Sequence, residues 1–214
     1  MKVIDNFFEY LGFLLLLLNA ILYLSSYNKL KRIIALKYFN LYLVVTAVVL
    51  FTSLSIVLFS ENKNNLFLSH FYFIFQFLLL SLFYKEDFNP IQKRTVNLIL
   101  ILVPLALCIQ YAMNPTLFKR FNIFEVFITS FPLVIYSIFY LYNSLSHQGR
   151  FMYINAGVLM YITTSTLIFI LGDYLSMFRD NDAIRSIWTI NKILYVGYLS
   201  LILVEWKKLQ VKNK

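Results

Sequence analysis

Few residues in this 214-residue chain can do chemistry, and most of them sit inside long apolar stretches. They are His70, Gln76, Gln110, Glu125, Thr166, Asp173, Asn191, Lys192 and Tyr195. A histidine near carboxylates suggests acid/base work, with His70 paired to Glu125 or Asp173 as in a membrane-embedded lipid hydrolase. Ser69 is a poor nucleophile for that base, because sequence neighbours on a helix point about 100° apart. A lysine within an apolar span suggests a different chemistry. Lys192 paired with Asp173 or Glu125 would hold a site for an anionic or zwitterionic ligand. The plainer alternative is that Lys192 snorkels along its stem past Trp188 to the membrane surface. The only two histidines, His70 and His147, are expected on opposite sides of the membrane, and Cys108 is the single cysteine. These counts exclude an internal disulfide and a histidine-pair metal site of the HExxH kind. Five glycines form no phosphate-cradling loop, so no metal and no cofactor is expected.

The elements that must position these residues are membrane helices. The composition is 60% hydrophobic and only 14% charged, whereas roughly a quarter of a soluble domain is charged. Within a bilayer only helices and closed barrels satisfy the backbone, and continuous apolar runs without two-residue alternation select helices. The expected fold is all-α, a polytopic bundle of seven transmembrane helices at about 7–26, 33–60, 66–84, 95–113, 123–143, 151–172 and 186–206. Residues 1–214 form a single transmembrane domain with no soluble module. Asp5 and Glu9 stand where a signal peptide would carry basic residues, so the first segment reads as a retained helix. Trp188 and Trp206 lie about 27 Å apart along the last helix, close to the ~30 Å hydrocarbon thickness. Asn89-Pro90-Ile91-Gln92 reads as loop, and Pro104 and Pro132 read as helix kinks.

Helical spacing groups the polar positions. Glu125, Thr129, Pro132, Tyr136, Tyr140 and Asn143 recur every three or four residues. Asn65, Ser69, Tyr72 and Gln76 do the same, with His70 beside them. Asn155, Thr166 and Asp173 share a face, and the last helix offers Asn191, Tyr195 and Tyr198. These stripes either line one outward-open pocket or simply join helices through interhelical hydrogen bonds.

Charge sets the orientation. Lys29, Lys31, Arg32, Lys37, Lys85, Lys93, Arg94, Arg150, Lys207, Lys208, Lys212 and Lys214 fall on one side, against Lys2, Lys63, Lys119, Arg120, Arg179 and Arg185 on the other. The positive-inside rule puts the N-terminus outside and the C-terminus in the cytoplasm. A reporter fused at Lys214 that worked only outside the cell would overturn this. His70, Gln110, Glu125, Asp173, Asn191 and Lys192 then all lie towards the outer side. The net charge of +9 is expected almost wholly at the cytoplasmic face, where it attracts anionic membrane lipids rather than nucleic acid. Richness in Phe, Tyr, Ile, Asn and Lys points to an AT-rich, bacterial genome and so to the cytoplasmic (inner) membrane.

A rhodopsin-like reading fails, since Leu66–Tyr84 holds no carboxylate to act as counter-ion. Three stretches carry another resemblance: Asn64-Asn65-Leu66-Phe67 opening the third span, Phe151 with Ile154-Asn155-Ala156-Gly157 opening the sixth, and Trp188-Thr189-Ile190-Asn191 opening the last. In these the chain resembles small seven-helix bacterial membrane proteins that look like the membrane sensor portions of histidine kinases. That resemblance implies a sensor or accessory protein rather than an enzyme. It would bind a small or lipidic ligand and signal through a separate protein partner at the cytoplasmic face or in the membrane. The alternatives are the lipid-modifying hydrolase built on His70, and a small transporter or channel subunit.

Overall fold

A computed structural model describes the backbone of residues 2–30, 33–59, 65–146, 149–176 and 181–212, and the side chains of 4–29, 33–59, 65–145, 149–172 and 186–211. Every element among the described residues is helical: α1 (Lys2–Ser25), α2 (Tyr27–Leu30), α3 (Ile34–Phe59), α4 (Phe67–Glu86), α5 (Pro90–Met113), a 3-10 helix (Pro115–Lys119), α6 (Ile123–Ser146), α7 (Met152–Ser176) and α8 (Asn181–Lys212). Seven of these helices are long and apolar enough to cross a membrane, which makes the chain an integral membrane protein by length and composition. The spans match the expected segments closely except in α5. Asn89-Pro90-Ile91-Gln92 is not loop but the start of that helix. The Asn89 side chain accepts the Gln92 N–H, the Gln92 side chain accepts the Asn89 N–H, and Pro90 occupies the first turn. This reciprocal cap satisfies two of the N–H groups that every helix start leaves free, and proline at this position loses no hydrogen bond. α5 and α6 both run on through their internal prolines, Pro104 and Pro132.

The chain forms two compact units, residues 30–136 and residues 1–29 with 137–214, with the boundary inside α6. In the unit 30–136, α3 and α5 each pack on α4. Its core is Phe39, Leu43, Phe77, Leu80, Phe83 and Tyr84, all essentially inaccessible. Phe39 meets Phe83 at 5.3 Å between ring centroids, within the range favoured by aromatic pairs. Leu98, Ile101, Leu102, Leu105 and Ile109 leave one flank of α5 exposed and wholly aliphatic. Such a face is unfavourable in water and suits acyl chains.

In the other unit α8 packs against both α1 and α7. Polar side chains of α1 reach backbone carbonyls of α8: Asn19 Nδ2 donates to Leu199 at 3.0 Å and the Tyr23 hydroxyl to Ile202 at 3.1 Å. α7 approaches α8 closely at Gly157, where an added Cβ would lie 2.8 Å from the Tyr198 ring. Small residues permit this kind of contact between membrane helices. The Tyr161 ring stacks on Tyr198 at 5.2 Å. The last turns of α6 join through Ser137 and Asn155, which exchange hydrogen bonds at 2.7 and 3.2 Å.

Candidate functional site

Within the unit 30–136, short connections bring one end of three antiparallel helices together. α4 presents His70 from its first turn, α5 presents Gln110 and Tyr111 from its last, and α6 presents Glu125 from its first. Asn122, immediately before α6, accepts the Glu125 N–H on its side chain at 3.3 Å and so caps the helix. An Asn-x-x-Glu start usually closes as a reciprocal capping box, with the glutamate reaching back to the cap. Here the Glu125 carboxylate goes elsewhere.

His70 Nδ1 lies 2.5 Å from Glu125 Oε2, and the Tyr111 hydroxyl donates to the same oxygen at 2.5 Å. His70 Nε2 faces the Phe118 carbonyl at 3.2 Å. A carbonyl oxygen can only accept, so Nε2 carries a proton. A single further proton then lies between Nδ1 and Oε2. Whether it is drawn on the imidazole or on the carboxyl, the pair is neutral as a whole. That neutrality reconciles two ionisable groups with burial, since each is only 1% exposed. Asn122 extends the network by donating to Gln110 Oε1 at 2.8 Å and to the Tyr111 hydroxyl at 3.2 Å.

The 3-10 helix covers this cluster. Its Phe118 ring stacks on the imidazole at 5.0 Å, and Tyr111 meets the imidazole edge-on at 5.6 Å. Pro115 and the Thr116 hydroxyl, which bonds Asn114 Oδ1 at 2.7 Å, set the start of this cover. One group in the network is incomplete. Glu125 Oε1 is buried and has no hydrogen-bond partner. A buried acceptor left unmet costs about 1–3 kcal/mol.

Of the remaining expected site residues, Gln76, Thr166 and Tyr195 take other partners within their own units. Gln76 is buried further along α4 and donates to the Tyr72 hydroxyl at 3.2 Å. In the other unit the Thr166 hydroxyl donates to the Ile162 carbonyl of its own helix at 2.7 Å, a local bond. Asn191 is half-buried, with an Oδ1 that has no hydrogen-bond partner. Tyr195 packs its ring against Tyr161 at 5.2 Å and against Gly12 of α1. The side chains of Asp173 and His147 lie outside the described residues.

The Asp173 side chain considered for Lys192 lies outside the described residues, and among the described residues of its own unit Lys192 pairs with two carboxylates of α1. Its ammonium donates to Asp5 Oδ2 at 2.8 Å and to Glu9 Oε2 at 2.6 Å, while Thr189 donates to Asp5 Oδ1 at 3.1 Å. Two carboxylates on one lysine leave no positive charge to attract an anionic ligand. Asp5 and Glu9 are four apart on α1, and Thr189 and Lys192 three apart on α8, so each pair shares a helix face. That spacing was present in the sequence, but nothing in it showed that α1 and α8 would be neighbours.

Tyr111, Phe118 and Asn122 were the residues of the His70 cluster that spacing did not single out. Asn122 carried a readable signal, the Asn-x-x-Glu start of α6. Tyr111 and Phe118 carried none, being aromatic residues in an aromatic-rich chain. His70 and Glu125 are the two strong metal donors of the cluster. Among the described residues no three of His, Cys, Asp and Glu gather within reach of one ion. The donor set, an imidazole and a carboxylate among amide and phenol groups, suits hydrogen bonding. Comparison with protein-family models, with curated proteins and with solved structures finds no match to this chain.

Proposed function

We propose that this chain is a membrane sensor or accessory protein of the bacterial cytoplasmic membrane, with its N-terminus outside. It binds a small or lipidic ligand at the outward end of α4, α5 and α6 and passes occupancy to a separate protein partner. The single observation that carries this reading is Glu125 Oε1, a buried carboxylate oxygen with no partner inside an otherwise complete network. Ionisable residues within membrane spans are expensive, and an incomplete one invites a ligand. An acceptor calls for a donor, so the ligand carries a hydroxyl, amide or ammonium group. This replaces the anionic or zwitterionic ligand that Lys192 suggested. The 3-10 helix lies over His70, so its displacement on binding provides a local change to transmit. Affinity purification from native membranes, with mass spectrometry of bound proteins and small molecules, tests this. A stoichiometric signalling protein that is lost in Glu125→Gln is the expected result, and a chain that purifies with neither ligand nor partner argues against it.

A second reading, a lipid hydrolase, rests on the same His70–Glu125 pair, which resembles a base held by its orienting carboxylate. The geometry favours it less. In such pairs the nitrogen away from the carboxylate does the work, and here that nitrogen donates to the Phe118 carbonyl. The Ser69 hydroxyl bonds Leu66 O at 2.6 Å rather than the imidazole. Lipid turnover by purified protein, abolished in His70→Ala, would reverse the preference.

A further inference from the structure

A second site lies in the unit formed by residues 1–29 and 137–214, where the first turn of α7 meets the last third of α8. Glu205 of α8 is fully buried, and its Oε2 accepts the Tyr153 N–H at 2.8 Å. A carboxylate at a helix N-terminus is favourably placed, which accounts for burying this one. Its Oε1 lies 3.2 Å from the Lys208 ammonium as an ion pair but makes no hydrogen bond, and that ammonium also lies 5.4 Å above the Tyr153 ring. Lys208 is therefore drawn to this point by two contacts while 41% of its side chain stays exposed. Lys207 beside it is exposed, and among the described residues it has no carboxylate partner. One positive charge is left over.

Tyr153, Val204, Lys207, Lys208 and Val211 line a shallow groove at this point that is largely open to the surroundings. Val204, Lys207, Lys208 and Val211 follow the i, i+3, i+4, i+7 spacing and share one face of α8. The groove has an aliphatic wall, an aromatic wall and a cationic rim. Its depth relative to a bilayer is marked by Trp206, a residue type that seeks the interface. The Trp206 indole is anchored to Leu22 O at 3.1 Å and to Ser26 Oγ at 3.0 Å on α1. Cations at the interface above an aliphatic surface match one kind of molecule, which has an anionic head and an acyl chain.

We infer that this groove binds one anionic phospholipid. The phosphate rests between Lys207 and Lys208, and an acyl chain lies along Val204. The site is independent of the His70 cluster. Native mass spectrometry of the full chain, titrated with phosphatidylglycerol or phosphatidylcholine, tests it. One phosphatidylglycerol should bind in preference to phosphatidylcholine. The pair Lys207→Gln with Lys208→Gln should weaken that binding by about tenfold or more, at roughly 1 kcal/mol per interfacial lysine. A charge-matched pair elsewhere, Lys93→Gln with Arg94→Gln, should change it by less than about twofold, as expected for a specific site. Because losing Lys208 exposes Glu205 to an unpaired state, Lys207→Gln alone is the second variant. It leaves the Glu205–Lys208–Tyr153 contacts intact and should still weaken binding severalfold. Equal binding of the two lipids, or equal loss in both double variants, would overturn the inference.

Discussion

Two polar clusters stand inside apolar helices of this protein, and they are built differently. At His70 and Glu125 the side chains are 2% and 1% exposed, the pair is neutral, and one carboxylate oxygen has no partner. At Lys192, Asp5 and Glu9 the side chains are 27%, 23% and 56% exposed, and every charge faces an opposite one. The second arrangement does what a helix clamp needs, because hydration covers whatever the ion pairs leave unmet. The first tolerates an unmet group where no water covers it. Burial together with incompleteness, rather than the presence of charge, separates a candidate binding site from structural glue.

That contrast can be broken by substitution. The largest effect is expected for His70→Ala, which leaves the Glu125 carboxylate buried without its proton partner. Removing one member of a buried pair costs about 3–5 kcal/mol, measurable as lost resistance to unfolding in detergent. Next comes the coupling between these two groups. In a double-mutant cycle, His70→Ala with Glu125→Leu should cost less than the two single substitutions added together, by about 1–3 kcal/mol. Additive costs would mean that the pair does not act as one neutral unit. Phe118→Ala removes the ring over His70 but keeps the carbonyl on Nε2, and should cost only about 0.5–1.5 kcal/mol. It should also increase labelling of Glu125 by a carboxylate-directed reagent. The smallest effect is expected for Lys192→Met. A partly exposed ion pair contributes about 0–1 kcal/mol, so this variant should unfold close to wild type. A loss as large as that of His70→Ala would erase the distinction between the two clusters.

The spans were legible in the sequence because hydropathy over some twenty residues depends on no neighbour. Where the reading went astray, at the start of α5, the error was local. The residues Asn89-Pro90-Ile91-Gln92 are polar and turn-like in composition, yet their pairing is that of a helix cap. The candidate site was legible in part. His70, Glu125 and Gln110 fall at the same end of successive helices, and alternation of direction suffices to predict that. That His70 meets Glu125 depends on which helices touch, and periodicity within one helix carries no such information. The same gap hid the partners of Lys192. Asp5 and Glu9 lie more than 180 residues earlier in the chain, and only the packing of α1 on α8 brings them within 2.8 Å.

The central claim is that the unmet oxygen of Glu125 marks a ligand site and that Lys192 does not. The most direct test is to purify wild type, Glu125→Gln and Lys192→Met from native membranes and to identify by mass spectrometry the small molecules and lipids each retains. Circular dichroism would confirm that all three are helical. A hydroxyl-, amide- or ammonium-bearing ligand should accompany wild type and Lys192→Met and be missing from Glu125→Gln. A ligand kept by Glu125→Gln and lost from Lys192→Met would contradict the account and move the site to the other cluster.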